Sequence, residues 1–599
     1  MKITVSLSKL LPVVCLALGL PGVDVRAAQT PAAPPPPTFG EVVEVHVVNL
    51  EVYATDKDGN RVGGLTKEDF AVFEDGKPVK ITNFDAVDRS GSAAPATVPA
   101  PPPSPAPAAA SPAPSTDAGL SLVVLIDNFH LRPGHRSRAL EQVRKFLARR
   151  LAPGDRVMLA TYDLTLNVRQ AFTADRSAVD AALAATESLP TYGQQQDTDR
   201  RTAVEAMYAL YDQDPCGYTM VTPIENYASA MRDEAQRTIG AFKVLVSSLA
   251  GVPGRKALLL VSDGIAATPG EELFQVFSEV CGANPTSGLP QVLSNDSPLS
   301  SRYPVQQALV DAQKYSVAKK LENLAAHANA NRVTIYTLQA TGLQGSGATQ
   351  ADMGTHERVL QMPSVQSVLR ENDRGSLFAM ASDTGGRATF DANDLLPDLA
   401  RMQEDFASYY SLGYSPSHAG DGLQHRIEVK VKRPGVRLRY RQSYRDKPDL
   451  ERVADRTLSA LFYGAEDNPL DIAMTLGEQT QDAGAKTWEV PVRLKIPLFK
   501  LAFVNREGQP FQGKLRLLVV TQNGQGGLSP LRQVDVPLTI PRLKVLTALG
   551  QSYLYTLTLK LPAGQHRLGL AARDELGAKT SYLSLPLTVG PGPAAKGGR

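Results

Sequence analysis

Leu120-Ser121-Leu122-Val123-Val124-Leu125-Ile126-Asp127 decides how this chain is read. An apolar run without polar alternation belongs to a strand covered on both faces, the environment of a parallel sheet with helices on either side. Three further runs repeat the signal: Val157 to Ala160, Ala257 to Val261 and Val333 to Leu338. Between the first two lies Arg136 to Arg150, whose Leu140, Val143 and Leu147 share one helical face. Further helices fit Ser177–Thr186, Thr202–Tyr211, Ala228–Leu249, Ser316–Ala330 and Ser376–Thr384, and Thr165 to Phe172 reads as an antiparallel edge strand. The pattern predicts an open, doubly wound α/β domain over residues 118–415.

The chain has 599 residues, which at ~150 per domain implies about four units. A 43% hydrophobic and 21% charged composition allows each to bury a core. Residues 1–27 read as a secretory signal peptide: Lys2 and Lys9, an apolar run from Leu10 to Leu20, then small residues around Val25-Arg26-Ala27. The run is about half of the ~20 residues a membrane span needs, and no other stretch is longer. The expected location is periplasmic, outer-surface or secreted. The formal charge of +2 equals the net charge of residues 1–27 (Lys2, Lys9 and Arg26 against Asp24), so the remainder is near neutral and a general grip on nucleic acid is not expected.

After cleavage two cysteines remain, Cys216 and Cys281, in a compartment that permits disulfides. They read as a bridge, with free or buried thiols as the other reading. Around the α/β domain the chain divides into a Pro-rich spacer (28–40), a small β-rich unit (41–88) and an Ala/Pro-rich linker (89–117). After it come a basic β-hairpin extension (416–448), a β-sandwich (449–590) and a loose tail (591–599). In the hairpin, Ile427, Val429 and Val431 alternate with basic residues, as do Val436, Leu438 and Tyr440. That predicts Arg426, Lys430, Lys432, Arg433, Arg437, Arg439 and Arg441 on one solvent face, open to contact with an anionic surface.

In an open α/β sheet, ligands bind beyond the carboxyl ends of the strands. Asp127 closes the first apolar strand, and Asp263 closes Leu258-Leu259-Leu260-Val261-Ser262-Asp263-Gly264. Two carboxylates on neighbouring strands could seed a hard-cation site. Gly193–Ala228 and Ala266–Ser316 read as long polar segments over that edge, with one cysteine in each, so that a bridge would staple them into a recognition surface. His130 and His135, in a loop with Pro133-Gly134, read as surface residues. No HExxH, P-loop or GxSxG turn is present, so no catalytic residue is assigned and an enzyme is not expected.

The order strand-Asp, helix, hairpin, helices, strand-Ser262-Asp263-Gly264 resembles a von Willebrand factor A domain. The flanks VNLEVYATDKDGNRVGGLTKEDFAVFEDGKPVKITNF (48–84, with Val48 first) and YYSLGYSPSHAGDGLQHRIEVKVKRPGVRLRYRQSYR (409–445) resemble the related family described mainly from acidobacterial genomes. The resemblance covers about residues 41–445. It implies recognition of a protein or cell-surface ligand at the top of the sheet, and Mg²⁺ or another divalent cation held by Asp-x-Ser-x-Ser, a Thr and a second Asp. Asp127 and Asp263 match the acids and Thr202 the threonine, with Thr198 competing. Phe129 and Leu131 stand where the two serines would be, so the site is expected to be degenerate and no cofactor is required. The expected function is an exported binding protein, with a structural envelope scaffold and a metal-dependent adhesin as alternatives.

Overall fold

A computed structural model describes residues 3–6, 47–88, 119–150, 154–282, 303–342, 355–464, 467–481, 486–505 and 509–590. The Pro-rich spacer, the Ala/Pro-rich linker, the tail and all of the export signal except residues 3–6 lie outside these. The four apolar runs form the middle of a six-stranded sheet. Its order is Ala388–Thr389, Val333–Gln339, Lys256–Ser262, Ser121–Asp127, Arg156–Tyr162, Leu166–Thr173. All neighbours are parallel except the last pair. Side chains alternate between two cores. Val123, Leu125, Leu258 and Leu260 pack against the Tyr218–Ser248, Ala318–Ala330 and Pro363–Asp383 helices. Leu122, Val124, Leu259 and Val261 pack against Pro133–Arg150, Arg176–Thr186 and Leu396–Ala407. The absence of polar alternation thus follows from helices on both sides.

The flanking segments combine differently from the sequence reading. One four-stranded sheet runs Arg437–Arg439, Val48–Thr55, Ser408–Tyr414, Ile81–Asp88; the other runs Ser443–Arg445, Gln424–Val431, Phe70–Glu74, Lys77–Val79. They share a core of Leu50, Val52, Phe70, Val72, Leu412, Tyr414, Ile427 and Val429. The two arms of the expected basic hairpin therefore lie in different sheets: Val429 sits opposite Val72, and Leu438 opposite Ala54. Alternation reflects burial of one face here, but each arm pairs with a strand more than 350 residues upstream. The α/β domain is accordingly an insertion between strands of a single β module. The charges do not share one solvent face either. Arg439 bonds the Gly385 carbonyl and Asp405, and the half-buried Arg441 donates to the carbonyls of Asn329 and Asn49. Arg433 donates to the carbonyls of Gly63 and Gly64.

Past Asp449–Tyr463, a helix, the chain makes two more sheets. One runs Arg532–Ile540, Phe511–Asn523, Gly564–Asp574, Thr580–Val589; the other pairs Ser552–Pro562 with Thr487–Pro497 and that with Ala473–Leu476. Val490, Val492, Leu515, Leu517, Leu557, Leu559, Leu568 and Leu570 fill the space between them. Ile3–Ser6, within the stretch read as the export signal, lies antiparallel to Ser552–Pro562. Gly569 lets the helix sit on its sheet: a Cβ there would lie 2.9 Å from the Leu461 Cβ. No helix among the described residues is long and apolar enough to cross a membrane.

Asp405 joins the β module to its insert. Its side chain is fully buried and receives Arg61 at 2.5 Å, Arg387 at 2.9 Å and Arg439, with the Tyr336 hydroxyl at 3.4 Å. Beside it Arg255 bonds Glu51 at 2.8 Å and the Asp405 carbonyl at 3.0 Å, with its guanidinium 4.4 Å from the Tyr409 ring centroid. Removing one member of a buried ion cluster leaves the others uncompensated and costs about 3–5 kcal/mol. Asp405→Ala should destabilise the chain by that order in guanidinium unfolding, whereas Asp398→Ala, which loses a surface pair with Arg401, should cost under about 1 kcal/mol.

Candidate functional site

The carboxyl ends of the Ser121–Asp127 and Lys256–Ser262 strands bring Asp127 and Asp263 into neighbouring positions, but each is met by protein cations or donors. Asp127 is fully buried. Its Oδ2 lies 2.7 Å from His130 Nδ1 and accepts from the Ser262 hydroxyl at 2.8 Å; its Oδ1 accepts from the His130 N–H at 3.3 Å. Burial lowers the His130 pKa, but the charge and hydrogen bond of Asp127 outweigh it, leaving the imidazole above its ordinary value. His130 is thus a buried partner of the strand-end acid and not the surface residue expected. His135 is likewise engaged, with Nδ1 2.8 Å from Asp263 Oδ2.

Asp263 Oδ2 also accepts from the Arg132 backbone N–H at 3.2 Å and its guanidinium at 3.3 Å. Arg132 grips Asp197 with two bonds of 2.8 and 2.7 Å, Asp197 meets Arg200 at 3.0 Å, and Arg200 reaches Glu272 at 2.9 Å. Charges of alternating sign therefore cross the top of the sheet from Asp263 to Glu272. The sequence reading missed this network. Arg132, Asp197 and Arg200 are ordinary helix and loop charges until the fold aligns them.

The residues do not fit a divalent cation held by Asp127, Thr202 and Asp263. Both Asp127 oxygens are occupied. Phe129 and Leu131, which lack the hydroxyls of the resembled motif, are committed to the two cores. Thr202 corrects the sequence reading: the Gly193–Ala209 helix buries Ala203, Val204 and Met207 and leaves Thr202 at the surface, as it does Thr198. A guanidinium lies against Asp263 where such a cation would be needed. Mg²⁺ requires near-octahedral oxygen geometry, which these side chains do not offer.

One side of the network stays open. A cavity of about 70 Å³ is lined by Asp263, Glu234, Asp373, Arg132 and Arg200 among others. Asp263 Oδ1 is buried without a hydrogen-bond partner. Burial raises the Glu234 carboxyl above its usual range, and burial, aided by Glu272 and opposed by Arg200, pushes Asp373 up to about 7. The cavity thus holds two acids, Glu234 and Asp373, that burial biases toward their neutral forms.

Over this end lies a helical cap. Among the described residues, the segments read as long polar loops are largely helical: Gly193–Ala209, Tyr218–Ser248, Glu271–Cys281 and Val305–Ala312; residues 283–302 of the second segment lie outside these. They share a core of Val204, Met207, Met220, Val221, Ile224, Leu273, Phe274 and Phe277. Cys216 and Cys281 form the expected disulfide, with Cα atoms 5.6 Å apart, which ties the turn between the first two helices to the end of the third.

No family model and no curated protein matches the chain, so the acidobacterial family has no counterpart in these comparisons. Solved structures give loose superpositions. The vWF domain of the type V pili tip protein Mfa5 from Porphyromonas gingivalis is 13% identical, with a TM-score of 0.21 over 48% of this chain and 94% of that one. Three N-terminal domains of the same protein give 11% identity and a TM-score of 0.24 over 91% of this chain and 78% of that one. An aerotolerance-related membrane protein from Bacteroides fragilis gives 9% identity and a TM-score of 0.21 over 48% of this chain and 98% of that one. Such loose superpositions carry neither fold nor function across.

Two outcomes test the site. An acid whose folded pKa lies above its unfolded value gives stability that is fully present below the unfolded pKa and is lost as pH rises through the folded one. Asp373→Asn should therefore raise the melting temperature more at pH 8 than at pH 5. Replacing both cysteines by serine should lower stability by about 2–4 kcal/mol, and reductant should reproduce the loss in the native chain only.

Proposed function

We propose that this is an exported binding protein that recognises a protein or cell-surface ligand at the carboxyl end of its α/β sheet, a von Willebrand factor A-like placement that works without a bridging metal. The observation that carries this reading is that Asp263, whose Oδ1 is buried without a partner, lines a cavity together with Glu234 and Asp373. An unsatisfied buried carboxylate oxygen is costly unless a ligand completes it. A partner that presents a basic side chain would supply the charge that burial denies Glu234 and Asp373 and favour their ionised forms. The disulfide over this edge supports both an ordered surface and an oxidising compartment.

The test uses dye-labelled full-length chain applied to intact cells and envelope fractions of the source organism. Wild type is compared with an Asp373→Asn/Glu234→Gln variant of unchanged fold. Neutralising one side of a desolvated charge contact typically costs more than 2 kcal/mol, so retention should weaken at least tenfold. Undiminished retention would overturn the reading and favour the scaffold role.

A further inference from the structure

At the far edge of the β module, Glu74, His418 and His425 bring ligand-type atoms within 4.8 Å of one another, and His418, Asp421 and Asp446 do the same. The surroundings are built. Glu74 Oε1 accepts from the Tyr414 and Tyr444 hydroxyls at 2.8 and 2.7 Å, which fixes the carboxylate and leaves Oε2 free of them. His418 Nδ1 lies 3.0 Å from Asp446 Oδ2, and His425 Nδ1 lies 2.8 Å from Asp75 Oδ2. Both anchoring carboxylates are held in turn: Asp446 by Arg452 at 2.8 Å and Asp75 by the Arg426 N–H at 2.9 Å. His418, whose Nδ1–H is held by an anchored carboxylate, presents Nε2 as a lone pair, the arrangement that orients metal-binding imidazoles. His425 Nε2 lies 3.1 Å from Asp421 Oδ2, which gives way to an ion or joins it as a ligand.

His418 Nε2 is buried without a hydrogen-bond partner and lies 3.4 Å from Glu74 Oε2. Zinc bonds of about 2.0–2.1 Å in a tetrahedron set neighbouring ligand atoms roughly 3.3–3.4 Å apart. Glu74, Asp75, Asp421 and Asp446 converge here, and among the described residues Arg452 is the one guanidinium paired with any of them. The site therefore has negative charge to spare for a divalent ion. Mixed imidazole and carboxylate donors select zinc and its transition-metal neighbours over Mg²⁺ or Ca²⁺.

We propose that Glu74, His418 and His425 form a binding site for a divalent transition metal of the zinc class. It is separate from the top-face cavity and independent of the recognition reading. The two imidazoles are stacked, with centroids 3.8 Å apart and planes at 13°. An ion in the plane of one ring lies outside the plane of the other, so coordination by both opens the stack.

Untagged full-length chain stripped with chelator is titrated with Zn²⁺ by calorimetry, with Mg²⁺ as control, and the histidine ring signals are followed by NMR. The expected result is one equivalent of Zn²⁺ bound, no response to Mg²⁺, and movement of both ring signals as the stack opens. His418→Ala should abolish the saturable uptake, and Asp75→Asn, at a half-exposed position, should weaken it about 10–100-fold. Metal-free melting of each variant separates loss of binding from loss of fold, and Asp75→Asn keeps the test open should His418→Ala fail to fold. No saturable Zn²⁺ uptake in the native chain would overturn the proposal, because the surplus carboxylates would then be balanced by imidazolium protons. Uptake unchanged in folded His418→Ala and His425→Ala chains would overturn it equally, by placing the ion elsewhere.

Discussion

The fully buried Asp405 carboxylate must have cations, and its three guanidinium partners come from distant stretches of chain. Arg61 and Arg439 belong to the β module, and Arg387 belongs to the inserted α/β domain. A buried ionic cluster adds little net stability compared with apolar packing, but it tolerates no missing partner. Its pairings complete only when residues from both sides of the insertion, Arg61 and Arg439, meet Arg387 of the insert. Arg255 reinforces this by binding Glu51 on the module and stacking on Tyr409 at the point where the chain leaves the insert.

The same rule governs the top of the α/β sheet with a different result. Asp263, Asp197 and Glu272 are neutralised by Arg132 and Arg200, whose positions are set by the backbone. The disulfide-tied helical cap carries Asp197, Arg200 and Glu272, so the electrostatics of the face depend on the cap being in place.

Features set by local pattern were legible in the sequence. Leu120–Ile126 and its three companions announced strands covered on both faces, and residues 449–590 read as a β-rich unit. The cysteine pair followed from compartment and count. What could not be read was which distant segment each element meets. The alternation in His425–Lys432 states that one face is buried, but not that Phe70–Glu74 covers the neighbouring edge, so a local hairpin was the nearest solution. Gly193-Gln194-Gln195-Gln196 reads as loop because its helix has only a narrow apolar face, Ala203, Val204 and Met207, whose partners Phe274 and Phe277 lie seventy residues on. His130 looked exposed because nothing in its neighbours says that Asp127 will be buried beneath it. Thr202 matched a motif position by order in the chain, and the helix phase placed it at the surface.

These misreadings share a cause that bears on how the top face works. A bound metal gives such a face positive charge that a ligand can share, since an open coordination position accepts a partner's oxygen. Guanidinium groups already paired on both sides offer no equivalent position: Arg132 spans Asp197 and Asp263, and Arg200 spans Asp197 and Glu272. On the proposed reading, the groups left to meet an incoming side chain are the acids outside the network, Glu234 and Asp373, together with the unpartnered oxygen of Asp263. Phe129 and Leu131, which stand where the resembled motif has hydroxyl ligands, are instead packed into the two cores. On the same proposed reading, a basic ligand group would be preferred at this face because it favours ionisation of the buried Glu234 and Asp373.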